Sequence, residues 1–132
     1  MIRLLKHLMS KDKIGLGKTG EALACNYLKK HGYHILARNY RTKMGEIDIV
    51  ARDGACLVFV EVKTRQSYAY GLPEESVNIK KMRKLTRLAQ LYIRNKRLYN
   101  VEARFDIVSV LIPDRFGKKL IRLIKNAFYE TE

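Results

Sequence analysis

The sequence predicts an α/β fold in which a mixed central sheet is covered by an N-terminal helix and a long basic helix. Three observations support this fold class. Apolar residues recur at helical spacing in the segments 17–30 and 79–97. Short runs rich in Val and Ile, bounded by turn residues, lie between and after these segments. The 132 residues have the length of one compact domain, so both helices should cover the faces of a single sheet.

The first predicted helix runs from Gly17 to Lys30, and His31-Gly32 ends it. The basic segment before it, residues 1–14, could be flexible, frayed or a short amphipathic helix. Residues 15–132 should form a single domain. Gly15 to Gly20 matches the G-x-G-x-x-G pattern of nucleotide-binding loops, but no apolar strand precedes it. We therefore predict no nucleotide cofactor and interpret this stretch as a flexible basic lead into the helix.

Three strands are predicted next, at residues 33–41, 46–52 and 57–64. The short connections Thr42 to Gly45 and Asp53-Gly54 are typical of hairpins. The three strands should therefore form an antiparallel meander.

The second half of the chain should contain the basic helix and one or two further strands. The helical stretch opens at Pro73 and runs to about Arg97, with basic residues on its other faces. Residues 101–111 form a predicted strand, and Pro113-Asp114 turns the chain. Residues 120–126 suit a last strand, although the pattern suits a helix almost as well.

The composition favours a polyanionic partner. Lys and Arg total 27 against 13 Asp and Glu, which gives a net charge of +14. Each phosphate that a cation neutralises releases counterions and adds affinity independent of sequence, although a ribosomal or membrane-surface protein could share this charge. We expect no signal peptide and no membrane span, and hence a cytoplasmic protein. Cys25 and Cys56 should be reduced and half-buried.

Carboxylates and a lysine stand at unusual positions in the second and third strands. Strand alternation should put Glu46 and Asp48 on one face, with Ile47 and Ile49 on the other. In the third strand Glu61 ends a run that is otherwise fit for complete burial. A buried carboxylate is costly unless it is paired or binds a metal.

The favourable arrangement brings Asp48, Glu61 and Lys63 together. Asp48 and Glu61 could then share Mg²⁺ through their oxygens, together with water and a substrate phosphate. The ion would polarise the scissile phosphate and activate water, while Lys63 would orient that water or steady the developing charge. The alternative is an ion-pair network on a half-exposed sheet, without chemistry.

These strands also carry a family resemblance. The stretches GEIDIVARD (45–53) and LVFVEVKTR (57–65) closely resemble the YraN family of small bacterial proteins, and the resemblance covers almost the whole chain from Gly17. The family looks like a member of the restriction-endonuclease-like superfamily and is similar to archaeal Holliday junction resolvases. The resemblance therefore implies a restriction-endonuclease-like core and a nuclease-like domain over residues 15–132.

The resemblance also implies roles for individual residues. The superfamily signature maps onto Asp48, Glu61 and Lys63 as the catalytic residues. Resolvase-like members add a glutamate from the first helix, for which Glu21 is the matching position, so the implied metal ligands are Asp48, Glu61 and Glu21. Glu21 could instead be an acidic residue that favours the first turn of a helix. Glu46 is left out of the ligand set.

A phosphate track should lie along the basic helix and beside the acidic residues. Tyr68 and Tyr70 could stack on an unpaired base or pack a loop. The candidate nucleic-acid-binding residues are Arg41, Arg65, Lys80, Lys81, Arg83, Lys84 and Arg87.

We therefore expect an endonuclease that depends on Mg²⁺ or Mn²⁺ and hydrolyses phosphodiester bonds in branched or single-stranded DNA. The alternative is a non-catalytic DNA- or RNA-binding module on the same fold. DNA is the expected partner ahead of RNA, no membrane is expected, and a homodimer would suit a substrate with two-fold symmetry.

Overall fold

The structure is a computed structural model that describes residues 2–69, 71–113 and 117–128, with the backbone alone described for residues 2–14 and 73–74. Two helices and five strands follow one another in these described parts of the chain. In order, the elements are α1 (Ile2–Lys30), β1 (His34–Thr42), β2 (Gly45–Asp53), β3 (Cys56–Arg65), a 3-10 turn (Pro73–Ser76), α2 (Ile79–Asn95), β4 (Ala103–Leu111) and β5 (Leu120–Phe128).

The strands form one mixed sheet in the order β1-β2-β3-β4-β5. The three strands β1 to β3 pair antiparallel, as the predicted meander requires. β4 lies parallel to β3, and β5 returns antiparallel to β4. A parallel neighbour needs a long crossover, which α2 supplies. The predicted α/β class with a mixed sheet is therefore confirmed.

The helix α1 starts at Ile2, earlier than the predicted Gly17. Gly15 to Gly20 lie inside this helix, so the prediction of a flexible lead was wrong for that stretch. The helix ends where predicted, because Gly32 adopts a φ of 87° and the Tyr33 N–H bonds the Leu28 carbonyl. The division of the chain at residue 14 stays a prediction.

The other predicted boundaries agree closely with the structure. The bounds of β1 to β3 match within one residue, and residues 120–128 form a strand, which settles the alternative left open by their pattern. The predicted helix from Pro73 divides into the 3-10 turn and α2, which Asn78 caps through the Lys81 N–H. Of the predicted turn at Pro113-Asp114, the second residue lies outside the described part of the chain.

Two apolar clusters lie on the two faces of the sheet. The cluster beneath α2 joins Leu85 and Leu88 to Phe59 of β3. The cluster beneath α1 joins Leu28 to Val58 of the same strand. Successive residues of β3 therefore alternate between the faces, which places β3 at the centre of both cores. In the described part of the chain, neither helix is long and apolar enough to span a membrane.

The buried carboxylate of Asp106 in β4 connects this strand to the residue before β1 and to β5. Asp106 is 0% exposed and accepts hydrogen bonds from the Tyr33 hydroxyl, the Arg104 Nε and the Asn126 N–H. Arg104 also bonds Asp53 at 2.7 Å. The charge of Asp106 is therefore compensated by several donors, and we assign this network to stability.

Candidate functional site

The regular alternation of β2 breaks at Asp48. Ile47 packs in the cluster beneath α2, whereas Ile49 packs beneath α1, so the prediction that both share one face was wrong. The paired register between β2 and β3 ends at Ile49 and Val60. Beyond that point the Val62 N–H donates to the Asp48 Oδ2 at 2.8 Å. A side chain thus replaces the next backbone partner, and the two strands open around Asp48.

Three carboxylates converge at this opening. One oxygen from each of Glu21, Glu46 and Asp48 lies within 4.8 Å of the others. Glu21 comes from the interior of α1, not from its first turn as predicted, so stabilising the start of the helix does not explain it. Asn39 lies in β1 between Arg38 and Tyr40, which pair with Ile49 and Ile47 on either side of Asp48, and its φ is 53°. In the amide orientation that satisfies both partners, its nitrogen donates to Glu46 at 2.6 Å and to Glu21 at 3.1 Å.

Burial and the crowding of negative charge shift the pKa values of Asp48 and Glu21. Burial, followed by the charges of Glu61, Glu21 and Glu46, raises the pKa of Asp48 to about 7, although the Val62 N–H opposes this. Burial and the charge of Glu46 also raise the pKa of Glu21. The negative charge of the cluster is therefore compensated only in part, and a bound cation would relieve the remainder.

Glu61 lies beside this cluster, with two lysines at one of its oxygens. The Lys81 Nζ of α2 lies 2.7 Å from the Glu61 Oε1, and the Lys63 Nζ lies 3.4 Å from the same atom. Burial and the neighbouring Lys81 lower the pKa of Lys63. Burial acts to lower the pKa of Lys81 as well, but its hydrogen bond to Glu61 and the charge of that carboxylate outweigh burial and raise it. Glu61 therefore holds two ammonium groups together.

Acidic and basic side chains line one open pocket of about 550 Å³. The structure thus brings together all the predicted catalytic residues and the predicted ligand Glu21 from α1. The pocket is lined by Leu16, Gly17, Glu21, Asp48, Glu61, Val62, Lys63, Thr64, Arg65 and Gln66. Glu46 reaches it through the carboxylate cluster.

The donor set suits a hard divalent cation. Carboxylate oxygens are the ligands that Mg²⁺ and Mn²⁺ prefer, and no soft sulfur donor belongs to the described cluster. Glu21, Glu46 and Asp48 could hold such an ion. The assignment of Glu61 as a further ligand stays a prediction, since its Oε1 already contacts Lys63 and Lys81.

The predicted nucleic-acid-binding residues fall into three groups. Arg41 pairs with Glu46 at 3.2 Å, and Lys81 pairs with Glu61. Arg65 lines the acidic pocket and bonds the Thr64 carbonyl. The remaining cations surround a separate groove next to the β1–β2 hairpin, and they are Lys80, Arg83, Lys84 and Arg87.

Of the two predicted stacking aromatics, only Tyr68 is described. The Arg122 guanidinium lies 5.8 Å from the centre of the Tyr68 ring, and the Tyr68 hydroxyl is buried. This contact favours a role in packing the loop. Tyr70 lies outside the described residues.

Comparison with known proteins identifies the family to which this chain belongs. The model of the family described as Uncharacterised protein family UPF0102 matches residues 20–110. The chain belongs to the UPF0102 family. YraN is this same family, so the resemblance inferred from the sequence is confirmed.

Two relatives illustrate how much of the chain the family covers. A UPF0102 protein of Clostridium botulinum strain 657 is 46% identical over 123 residues, which are 92% of this chain and 98% of the relative. A UPF0102 protein of Alkaliphilus metalliredigens strain QYMF is 50% identical over 114 residues, or 86% of this chain and 96% of the relative. These relatives therefore align with most of the chain, and the family model includes Glu21, Glu46, Asp48, Glu61 and Lys63.

Sequence reasoning missed three features of this UPF0102 site. Glu46 was left out of the ligand set, yet its carboxylate lies in the cluster. Lys81 was assigned to nucleic-acid binding, whereas it contacts Glu61. Asn39 was given no role. Strand alternation alone could have found Glu46, because it predicts that Glu46 and Asp48 share a face. The contact of Lys81 depends on where α2 crosses the sheet, which no local pattern reveals.

Proposed function

We propose that this protein is a Mg²⁺- or Mn²⁺-dependent endonuclease with a restriction-endonuclease-like core, which hydrolyses phosphodiester bonds in branched or single-stranded DNA. One observation carries the proposal: the carboxylates of Glu21, Glu46 and Asp48 converge on a pocket that also contains Glu61 and Lys63. Such a pocket combines ligands for a cation with a cationic group for a phosphate.

In this proposal the carboxylate cluster holds the ion. Glu21, Glu46 and Asp48 together carry up to three negative charges, and Asn39 fixes two of these side chains through its amide. A bound Mg²⁺ would polarise the scissile phosphate and lower the pKa of an attacking water. Asp48 is the central ligand, because it contacts the backbone of β3 and is influenced by every other carboxylate of the site.

The two lysines act on the phosphate. Lys63 lines the pocket, and Lys81 contacts the same Glu61 Oε1, so Glu61 positions two ammonium groups beside the carboxylates. Charge develops on the phosphate oxygens during hydrolysis, and fixed cations stabilise it there. Loss of one such donor typically lowers the rate by about 100- to 1000-fold.

A second function is favoured by a different observation. The charge of Glu61 is compensated by Lys63 and Lys81 without any metal, as in a purely structural ion pair. On that basis the same fold could be a non-catalytic DNA- or RNA-binding module. It would bind through cations alone, and its affinity would depend on salt and not on divalent ions.

Cleavage of labelled DNA by the purified protein tests the proposal. The substrates are a four-way junction, a flap, a single strand and a duplex, each with Mg²⁺, with Mn²⁺ or with a chelator. We expect cutting that needs the divalent ion and is lost in Asp48→Asn and in Lys63→Ala. Lys30→Ala is the matched control, because it removes an exposed cation at the end of α1.

The outcomes separate the two functions. Cutting that survives both the chelator and Asp48→Asn would contradict the proposed nuclease. Tight, salt-sensitive binding without cutting, unaffected by metal, would favour the binding module. Sedimentation of the same preparation with and without a junction tests the homodimer, which we propose because a two-fold substrate suits two copies of the chain.

A further inference from the structure

A second open groove lies between α2 and the β1–β2 hairpin, apart from the acidic pocket. Its volume is about 530 Å³, and its lining consists of Met44, Lys80, Arg83, Lys84 and Arg87. Met44 lies at the hairpin turn and is 49% exposed. Gly45 allows the hairpin to approach the helix, because a Cβ there would lie 2.6 Å from the Lys84 Cε. The hairpin and the helix thus form the two walls of the groove.

The cations of this groove have no acidic partners among the side chains that the structure describes. Elsewhere in the described part of the chain, Arg41, Lys81 and Arg104 each pair with a carboxylate. None of the four groove cations does so among the residues that the structure describes. Their exposed charges should repel one another, so a polyanion in the groove would be bound favourably. The groove cations are Lys80, Arg83, Lys84 and Arg87.

The spacing of these cations matches a phosphate backbone. They recur at intervals of three and four residues, so they share one face of α2. From Lys80 to Arg87 that face extends about 10 Å at roughly 1.5 Å per residue. Successive phosphates of one duplex strand lie farther apart than their rise along the axis, because the strand also winds around it, so a face of this length can contact about two of them.

The chemistry of the lining favours contacts with phosphates. Proteins that bind single strands place aromatic rings beneath the bases. Proteins that bind double-stranded RNA contact its 2′-hydroxyl groups in the minor groove. The lining described here contains neither an aromatic ring nor a hydroxyl or amide side chain. Cations alone contact phosphates, which is sufficient for the backbone of a DNA duplex.

We propose that this groove binds the sugar-phosphate backbone of a DNA duplex, as one arm of the substrate cut at the acidic pocket. The second clause rests on the proposed nuclease function, whereas the first does not. α2 connects the two places: Lys81 contacts Glu61 in the pocket, and Lys84, one turn later, covers Gly45 in the groove. The substrate therefore carries a duplex arm next to the bond that is cut.

The salt dependence of DNA binding tests the groove without requiring cleavage. A short labelled duplex is titrated by fluorescence anisotropy, in the presence of a chelator, at salt concentrations from about 50 to about 200 mM. The test variant is Arg83→Ala/Arg87→Ala. The control is Lys29→Ala/Lys30→Ala, which removes the same charge from exposed positions at the end of α1.

Each lost phosphate contact reduces the slope of log K against log salt by about 0.9 for duplex DNA, so the double variant should lose about 1.8. A fourfold rise in salt concentration should then reduce the affinity of the variant for the duplex about 12-fold less than it reduces the affinity of the wild type. The control should keep the wild-type slope, and a single strand or an RNA duplex should bind more weakly than the DNA duplex.

An unchanged slope in the Arg83→Ala/Arg87→Ala variant would overturn the proposal. An equal reduction of the slope in the test and control variants would overturn it as well, since that result would reflect net charge alone. Binding of a single strand or an RNA duplex as tight as that of duplex DNA would also exclude it. Because the chelator prevents metal-dependent cutting, these outcomes stand whether or not the protein proves to be a nuclease.

Discussion

Replacing Asp48 by Asn should stabilise the protein above neutral pH. Burial and the neighbouring carboxylates raise the pKa of Asp48 from 3.8 to about 7, so its ionised form is disfavoured in the folded state. Asn removes this charge but keeps a side-chain oxygen that can accept the Val62 N–H. The variant should therefore retain the local structure and lose the electrostatic penalty.

The free energy of unfolding of the wild type depends on pH because Asp48 holds its proton more tightly in the folded state than in the unfolded chain. Between pH 3.8 and about 7 the folded protein keeps a proton on Asp48 that the unfolded chain has released. The free energy of unfolding of the wild type must then fall as pH rises through this range. At 1.36 kcal/mol per pH unit, the full penalty amounts to roughly 4 kcal/mol above pH 7.

Urea denaturation of both proteins at about pH 5 and about pH 8 measures this penalty. The advantage of Asp48→Asn over the wild type should grow by about 2 to 3 kcal/mol between these two values. Added Mg²⁺ should stabilise the wild type more than the variant, by about 2.7 kcal/mol at a hundredfold excess over the dissociation constant if the variant does not bind it. A variant that is less stable than the wild type at pH 8, or an advantage independent of pH, would refute the reasoning.

Asp53 provides a control, because its pKa is shifted in the opposite direction from that of Asp48. Its hydrogen bond with Arg104 lowers the pKa of Asp53, so its ionised form stabilises the fold at neutral pH and this stabilisation is lost only as pH falls below about 4. Asp53→Asn should therefore be less stable than the wild type at pH 8. Equal behaviour of the Asp48 and Asp53 variants would show that removal of charge alone explains both.

Two further predictions concern the stability of the fold. Gly20→Ala should destabilise the protein by about 1 to 3 kcal/mol, because its Cβ would collide with Thr64 of β3, whereas Gly15→Ala, with nothing within 4 Å, should be neutral or gain up to about 1 kcal/mol. Equal free energies of unfolding for these two variants would show that α1 does not pack this closely on the sheet. Asp106→Ala should lower the free energy of unfolding by about 3 to 5 kcal/mol, since it leaves Arg104 without its buried partner. A loss below about 1 kcal/mol in urea denaturation would contradict a stabilising role for that network.

The sheet could be predicted from the sequence because its signals are local. Val58, Phe59 and Val60 lie in a run of apolar residues with a turn on either side, and such a pattern fixes a strand within a residue or two. The turn at Asp53-Gly54 then fixes the register of the hairpin. The meeting of Asp48 with Glu61 followed from the same register, together with the need to compensate buried charge.

The remaining features depend on tertiary structure. Ile47 and Ile49 were assigned to one face because a regular strand has a period of two residues, but the bond between Asp48 and the Val62 N–H interrupts that period. The start of α1 at Ile2 was missed because the first residues show no clear amphipathic pattern. The positive φ of Asn39, which places its amide beside two carboxylates, has no signal in the sequence beyond the tolerance of Asn for that conformation.

Titration with Mn²⁺, followed by electron paramagnetic resonance of the free ion, tests the central claim most directly. The wild type is compared with two variants, Glu46→Gln and Glu61→Gln. Each variant lacks one carboxylate of the candidate site. If Glu21, Glu46 and Asp48 form the metal site, Glu46→Gln should weaken Mn²⁺ binding by at least about 10-fold and by more than Glu61→Gln does. Unchanged binding in Glu46→Gln with loss in Glu61→Gln would contradict this assignment, and absence of Mn²⁺ binding in the wild type would contradict the metal centre itself.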